Sequence, residues 1–325
     1  MRIFESLDEI PKDFGRAVVT VGNYDGIHLA HQAILRTVIR RARELEASSL
    51  LVTFDPHPAR ILKPHGSGPP LITPIGRKLE LLAELGLDAV AVVPFTRDLS
   101  MMTAFEFADE VLFSRMHAVE VHEGYNFHFG HNKEGDQQRL QDFGKKLGFT
   151  VISHPPMKWG ELVISSSNVR ALVLGGKVEM ARHLLGRPFT IDSTPGRGHG
   201  IGRKYTVPTI NLARYDELAP AWGVYVTRIR INGEEFEAVT NVGNRPTFGG
   251  DSFAIESYIL QGFHPLELSS DTRIRLTFLH RLREERKFES VEALKAQILR
   301  DVARAGRYFR MYNALRGNMK STPAQ

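Results

Sequence analysis

The 325-residue chain carries 42 Lys and Arg against 37 Asp and Glu, a formal net charge of +5, with 42% apolar residues and no Cys. Disulfide frameworks and thiolate chemistry are excluded, and no run of roughly eighteen apolar residues is present to cross a membrane. The length implies two domains. The first residues, with Arg2, Glu5, Asp8 and Glu9 and no apolar core, do not read as an export signal, so a cytoplasmic protein is expected. The charges are interspersed apart from short clusters such as Arg40, Arg41 and Arg43. That pattern suits small anionic ligands as well as nucleic acid and selects neither.

Up to residue 186, strand-like apolar runs recur at Val18–Val21, Leu50–Phe54, Ala89–Val93, Val119–Glu123 and Val151–His154. Helical patterns lie between them over Ala33–Leu45, Arg77–Leu85, Ala104–Met116 and Gln137–Leu147. This alternation predicts an α/β module, a doubly wound parallel sheet whose ligands bind beyond the carboxyl ends of the strands. After the first run, Gly22, Tyr24, Asp25 and Gly26 form a polar turn, and His28 and His31 stand three apart at a helix entrance. That spacing puts both imidazoles on one face, beside the N–H groups and positive dipole end of the helix, where a phosphate is the natural guest. Two solvated histidines or a metal pair are the competing readings. The metal reading is the weaker, because no Cys exists and no acidic or His partner stands at ligand spacing.

Asp55-Pro56-His57-Pro58 follows the second run, and Gly124–Gly130, with Asn126, Phe127 and Phe129, follows the fourth. Each reads either as a rigid or aromatic loop or, from its position at a strand end, as part of the same site. Ser165-Ser166-Ser167-Asn168 then precedes a helix. One hydroxyl is enough for an N-cap, whereas three hydroxyls with Arg170 one turn later suit a bound anion. A helix over Val178–Leu185 stops at Gly186 and Pro188, and the domain boundary is placed there, giving modules 1–186 and 187–325.

In the second module the apolar period changes to two. Val224–Ile231 and Glu234–Thr240 flank Asn232-Gly233, a strong hairpin signal, and Ile255–Leu260 and Arg273–Leu279 add strands. A small antiparallel β-barrel with a terminal helix is expected, the helix capped by Ser290 and packed through Val291, Leu294, Ile298, Val302 and Ala305. The glycine-rich, basic stretch 196–203, including Gly200, Gly202 and Arg203, suits backbone contacts with phosphate, although a loop of this composition is a weak signal alone. Thr209 and Asn211 offer hard oxygen ligands acceptable to Mg²⁺. Glu256, within a strand pattern, could by itself be a solvent-facing residue.

Gly22, Asp25, Gly26, His28 and His31 on a strand-turn-helix unit resemble the signature of the nucleotidyltransferases, and specifically of bacterial bifunctional riboflavin kinase/FMN adenylyltransferase, the FAD synthetase. Tyr24 stands where that family has Phe, and Ala30 where it has Gly. The Pro-His-Pro, Asn-Phe-x-Phe-Gly and Ser-Ser-Ser-x-x-Arg segments are similar to further motifs of the family, and so are His199–Arg203, Pro208–Asn211, Asn241–Phe248 with Arg245, Glu256, and Arg283-x-Glu285-x-x-Phe288. The resemblance covers nearly the whole chain in the family's order. It implies a nucleotidyltransferase-type sheet, followed by a riboflavin kinase barrel.

By the same resemblance, His28, His31 and Glu256 are the catalytic residues. Gly22, Tyr24, Asp25, Gly26, Asp55, His57, Asn126, Phe127, Phe129, Ser166, Ser167, Arg170, Gly200, Gly202, Arg203, Thr209, Asn211 and Arg245 bind nucleotide or flavin, and Thr209 and Asn211 hold Mg²⁺. The implied chemistry is ATP-dependent phosphorylation of riboflavin to FMN, then adenylylation of FMN to FAD. Departures at 205–207 and at Leu268-Ser269-Ser270-Asp271 leave an alternative, an FMN adenylyltransferase whose kinase module binds flavin but is weak or inactive. Other enzymes with the same His-x-x-His logic lack the second module. An RNA-binding protein on an inactive fold would need basic and aromatic residues grouped on one face, which is not seen. Small-molecule substrates, no nucleic acid, no membrane and a monomer or weak oligomer are therefore expected.

Overall fold

The computed structural model describes residues 1–63, 67–196, 209–247, 250–260 and 268–320, the side chains of 244–252, 291 and 316–320 excepted. Two compact units divide between Asn168 and Val169.

The N-terminal unit is a six-stranded parallel sheet in the order β1-β4-β3-β2-β5-β6. The strands are β1 (Arg2–Phe4), β2 (Ala17–Val21), β3 (Ser48–Phe54), β4 (Ala89–Val93), β5 (Ala118–Gly124) and β6 (Thr150–His154). Five match the apolar runs of the sequence, and β1, too short for periodicity to reveal, adds an edge. Between them lie α1 (Leu29–Glu44), α2 (Pro58–Leu62), α3 (Ile75–Leu85), α4 (Arg97–Met101), α5 (Ala104–Glu106) and α6 (Gln137–Leu147). The helix expected over Ala104–Met116 is α5 continued by a π-helical stretch, Phe107–Arg115.

Alternate strand residues feed two cores. Val18, Leu51 and Val90 pack with Leu35, Val38 and Leu82 of α1 and α3, while Val19, Val52 and Val121 pack with Phe107, Leu112 and Leu140 on the other face. The sheet is thus covered on both sides, which is why its strands read as continuous apolar runs. The chain winds from β2 towards β4 and later resumes at β5 on the other side of β2. The topological switch point therefore lies at the carboxyl ends of β2 and β5.

An ion pair between the half-buried Arg41 and the buried Glu120 joins α1 to the sheet. Arg41 forks onto both oxygens of Glu120 at 2.9 and 2.8 Å, and His122 Nε2 meets Glu120 Oε1 at 2.7 Å. The hydrogen bonds from Arg41 hold the Glu120 carboxyl below the usual range. Burial pushes His122 below its ordinary value despite Glu120.

The division between units falls within α7 (Ser166–Leu174), ahead of the Gly186 stop read from sequence. The reason is that α8 (Val178–Leu185) packs on the second sheet, where Glu179 pairs with His280 and accepts the Arg281 N–H at 3.1 Å. A short hairpin, β7 (Lys158–Trp159) and β8 (Leu162–Val163), precedes α7.

The second unit is a curled antiparallel sheet in the order β10-β13-β12-β11-β14-β9. Its strands are β9 (Phe189–Ser193), β10 (Thr209–Asn211), β11 (Gly223–Ile231), β12 (Glu234–Thr247), β13 (Gly250–Ile259) and β14 (Ile274–Glu284). Asn232 and Gly233 make the β11–β12 turn with φ of 50° and 91°, as the dipeptide predicts. Two register shifts between β11 and β14 help to curl the sheet. Its concave side buries Tyr225 against Phe278, and Thr227, Thr240 and Ser257 form a hydroxyl chain at 2.7 and 2.8 Å.

On the opposite side, α9 (Val291–Lys320) packs through Ala305 and Phe309 against Val224, Val226 and Val239. Ser290 caps it as expected. The expected apolar stripe is corrected, because Leu294 and Ile298 are exposed. The first turns instead face the sheet with polar groups: buried Asp301 takes Arg283 at 2.9 Å and Gln297 at 2.8 Å.

Both Glu120 and His122 bind protons more readily in the unfolded chain. The stability they contribute is complete above about pH 6.5 and falls as the pH drops through the His and then the carboxylate range. Arg41→Met is expected to lower the thermal midpoint at pH 7, and the deficit should narrow on acidification as the stranded Glu120 charge is protonated. Thermal denaturation from pH 7 to 4 checks this; a deficit independent of pH would contradict it.

Candidate functional site

β2 ends at Val21, and the next seven residues turn the chain into α1 at the switch point. His28 is the N-cap of α1, 4% exposed, and its Nδ1 accepts the His31 N–H at 3.3 Å. An accepting Nδ1 places the proton of the neutral ring on Nε2. The His31 ring stacks on His28 with centroids 3.5 Å apart. The two imidazoles therefore form one unit on the first turn, as the spacing predicted.

The turn is braced from three directions. The Asp25 carboxylate, 2% exposed, accepts the N–H groups of Ile72 and Thr73 at 3.1 and 3.0 Å, so its side chain builds the turn. Its carbonyl accepts the Ser166 hydroxyl at 2.8 Å, which ties the start of α7 to the start of α1. Ser165 supplies the cap by accepting the Asn168 N–H, Ser167 is exposed on the first turn, and Arg170 follows on the same helix. The three hydroxyls thus divide into cap, brace and exposed donor.

Lys78, overlooked at the sequence level, supplies the third brace. Its ammonium donates to the Asn23 carbonyl at 2.7 Å and to Thr53 Oγ1 at 3.2 Å, with only 5% of the residue exposed. Burial pushes this amine below its usual range, against the pull of Asp25 and Asp55. A lysine within an otherwise ordinary amphipathic helix gives no local sign of this; only its α3 position, on the face carrying Leu81 and Leu82, hints at burial.

The remaining predicted residues of this unit fall into two groups. Asp55 is exposed just beyond β3, and His57 caps α2 by accepting the Ala59 N–H at 3.1 Å. Beyond β5, Asn126 is exposed and Phe127 stacks on Phe129 at 5.3 Å. Phe129 itself belongs to the core beside Phe107, so it supports the loop and Phe127 forms the outer ring.

In the second unit strand register does the assembling. Asn211 pairs with Glu256, and Glu256 pairs with Asn241, across β10, β13 and β12. Directly registered residues project on one face with Cβ atoms about 5 Å apart, so Glu256 is flanked by two amides. Thr209 lies two residues along the same face. Glu285 joins this face: a Cβ on Gly243, two residues from Asn241, would collide with its carboxylate, so Gly243 leaves the space that Glu285 fills. Asn241 and Glu285 complete the cluster although only their motifs, not their roles, were legible in sequence. Thr209, Asn211 and Glu256 are hard oxygen donors, suited to a cation that also takes phosphate oxygens. Among the described residues no group of three His, Cys, Asp or Glu side chains forms a metal cluster. Gly200, Gly202 and Arg203 lie outside the described residues, as does the side chain of Arg245.

Two family models match the chain, FAD synthetase over residues 10–168 and riboflavin kinase over 185–309. The bifunctional riboflavin kinase/FMN adenylyltransferase of Pseudomonas fluorescens is 34% identical across 94% of this chain and 97% of its own length. The chain belongs to the bifunctional riboflavin kinase/FMN adenylyltransferase family. The protein of that name from Escherichia coli K12 is 31% identical across 95% of this chain and 97% of its own. A crystal structure of a Streptococcus pneumoniae protein described as a macrolide-efflux protein superposes with a TM-score of 0.81 at 27% identity, covering 92% of this chain and 96% of that one. Among the described residues no helix is long and apolar enough to cross a membrane.

Both modules of the riboflavin kinase/FMN adenylyltransferase family are thus present, each in its expected fold. The alternative of a kinase module reduced to flavin binding is not favoured. Leu268–Asp271, one of the departures, closes as a local turn in which Thr272 Oγ1 accepts the Ser269 N–H at 3.0 Å.

Asp25→Asn keeps one acceptor but sets an amide NH₂ against the second backbone N–H. A loss of about 2 kcal/mol in unfolding free energy is expected, with FAD formation falling more than riboflavin phosphorylation. Urea denaturation and separate assays of the two steps check this.

Proposed function

We propose that residues 1–186 carry the FMN adenylyltransferase step and residues 187–325 the riboflavin kinase step. The observation that carries the first assignment is the stacked His28–His31 pair at the start of α1, tied through Asp25 and Ser166 to the start of α7. In the kinase step riboflavin and ATP give FMN and ADP; in the second step FMN and another ATP give FAD and pyrophosphate.

In adenylyl transfer an FMN phosphate oxygen bonds to the α-phosphorus of ATP as the bond to the pyrophosphate oxygen breaks. Two anions must approach, so charge neutralisation and alignment dominate. His28 donates from Nε2, His31 holds that ring in its stack, and Arg170 with the first amides of α1 and α7 supplies further positive potential. Gly22, Tyr24 and Gly26 shape the turn beneath the phosphates, Ser167 offers a hydroxyl, and Asp55, His57, Asn126 and Phe127 line the crevice for nucleotide and flavin.

In the kinase step Glu256 takes the proton of the terminal ribityl hydroxyl as its oxygen attacks the γ-phosphorus and ADP leaves. Asn211 and Asn241 hold that carboxylate between two amides. Thr209 and Asn211 are the residues that would hold Mg²⁺, whose charge offsets that of the phosphates when it is bound. Gly200, Gly202, Arg203 and Arg245 complete the nucleotide contacts. Soluble ATP and flavin substrates fit a cytoplasmic enzyme acting as a monomer or weak oligomer.

His28→Ala should lower FAD formation from FMN by at least about a hundredfold and leave phosphorylation of riboflavin within twofold. Equal loss of both activities in a folded variant would overturn the division of labour. Glu256→Gln should lower riboflavin phosphorylation by roughly 10²- to 10⁴-fold while FAD still forms from added FMN. Separation of riboflavin, FMN and FAD after incubation with Mg-ATP reads both outcomes.

A further inference from the structure

Tyr24 stands between the histidine pair and the sheet, and its hydrogen bonding is fully determined. Thr20 Oγ1 donates to the His122 carbonyl at 2.8 Å and lies 2.6 Å from the Tyr24 phenol oxygen. A hydroxyl has one hydrogen, and that of Thr20 is already directed at His122. The Tyr24 O–H is therefore the donor to Thr20. The phenol is anchored to β2 and, through Thr20, to the backbone of β5, the two strands that border the switch point. Burial raises the phenol far above its ordinary range, so the donor stays protonated at every working pH.

The ring itself is only 5% exposed. One edge fills the space over Gly22, where a Cβ would come within 3.2 Å of the ring. The His31 ring packs against Tyr24 at 4.6 Å, tilted by 35°, and His31 in turn stacks on His28. Tyr24, His31 and His28 form a continuous series of three rings ending at the N-cap of α1. The backbone at Tyr24 lies at φ 46°, a conformation that a bulky residue adopts only when its surroundings hold it.

We propose that Tyr24 is a positioning residue for adenylyl transfer: its phenol, locked to Thr20, fixes the ring against which His31 rests and so sets the geometry of the His31–His28 stack. The proposal rests on the assignment of that pair to FAD formation. The hydroxyl matters because a ring held by packing alone can rock within its pocket, whereas a terminal hydrogen bond removes that freedom. Alignment of the reacting phosphates depends on where His28 Nε2 lies, so the lock acts on turnover more than on ATP binding. Thr20 is part of the same device, and the two residues should behave as one.

Tyr24→Phe keeps the ring and removes the lock; Thr20→Val removes the acceptor and keeps the shape. Each is expected to lower kcat for FAD formation about tenfold, the equivalent of one net hydrogen bond, with KM for ATP within twofold. Riboflavin phosphorylation should not change. The double variant should fall no further than either single one, as expected of partners in one interaction. A kcat within twofold of the parent in both single variants would overturn the proposal. So would additive losses, a rise in KM without loss of kcat, or parallel loss of kinase activity. His31→Ala measured alongside separates the two levels. If it leaves FAD formation intact, the assignment of the histidine pair fails; if it abolishes FAD formation while Tyr24→Phe is silent, only the role of Tyr24 fails.

Discussion

A carboxylate buried at 2% exposure must be fully hydrogen-bonded, and this requirement at Asp25 organises the N-terminal unit. Its side chain draws in the backbone at Ile72 and Thr73, and its carbonyl draws in Ser166. Two segments far from it in sequence are thereby fastened to the turn that follows β2. Lys78 supports the same turn from beneath through the Asn23 carbonyl. A buried ammonium beside a buried carboxylate keeps the region electrically balanced without spending surface charge on it. With the turn braced in this way, the start of α1 presents His28 and His31 stacked on one another.

The two units solve the positioning problem differently. In the parallel sheet the candidate groups sit on turns beyond strand ends, and side-chain braces hold the turn after β2. In the antiparallel sheet they sit within strands, and the ladder sets Asn211, Glu256 and Asn241 side by side. Register errors there would move the whole row to the other face, because strand side chains alternate. The buried Thr227–Thr240–Ser257 hydroxyl chain on the concave side disfavours such a slip. Its polar groups are satisfied in the observed register.

Much of this was legible in sequence because it is local. Strands covered on both faces must be apolar throughout, so β2 to β5 are visible as runs such as Val18–Val21. Asn232-Gly233 names its own turn, and the His28–His31 spacing names its own face. The misses have equally physical causes. Lys78 is an unexceptional helix residue until α3 is laid on the sheet. Leu294 and Ile298 have helical spacing but meet solvent, because the first turns of α9 are held by Gln297 and Asp301 through Arg283 and Arg286. That the Phe129 ring packs in the core beside Phe107 is likewise not visible in its motif.

By itself, then, the sequence determined the two modules, the strand-turn-helix carrying His28 and His31, and the residue types that phosphate chemistry requires. These follow from periodicity, turn chemistry and short-range spacing. Only the tertiary structure decided which of those residues lie open at the ends of strands and helices and which hold others in place. Asp25, Ser166 and Lys78 act through partners 25 to 141 residues away, and Tyr24 reaches the neighbouring strand only through Thr20; such distances are set by packing and register, not by spacing along the chain.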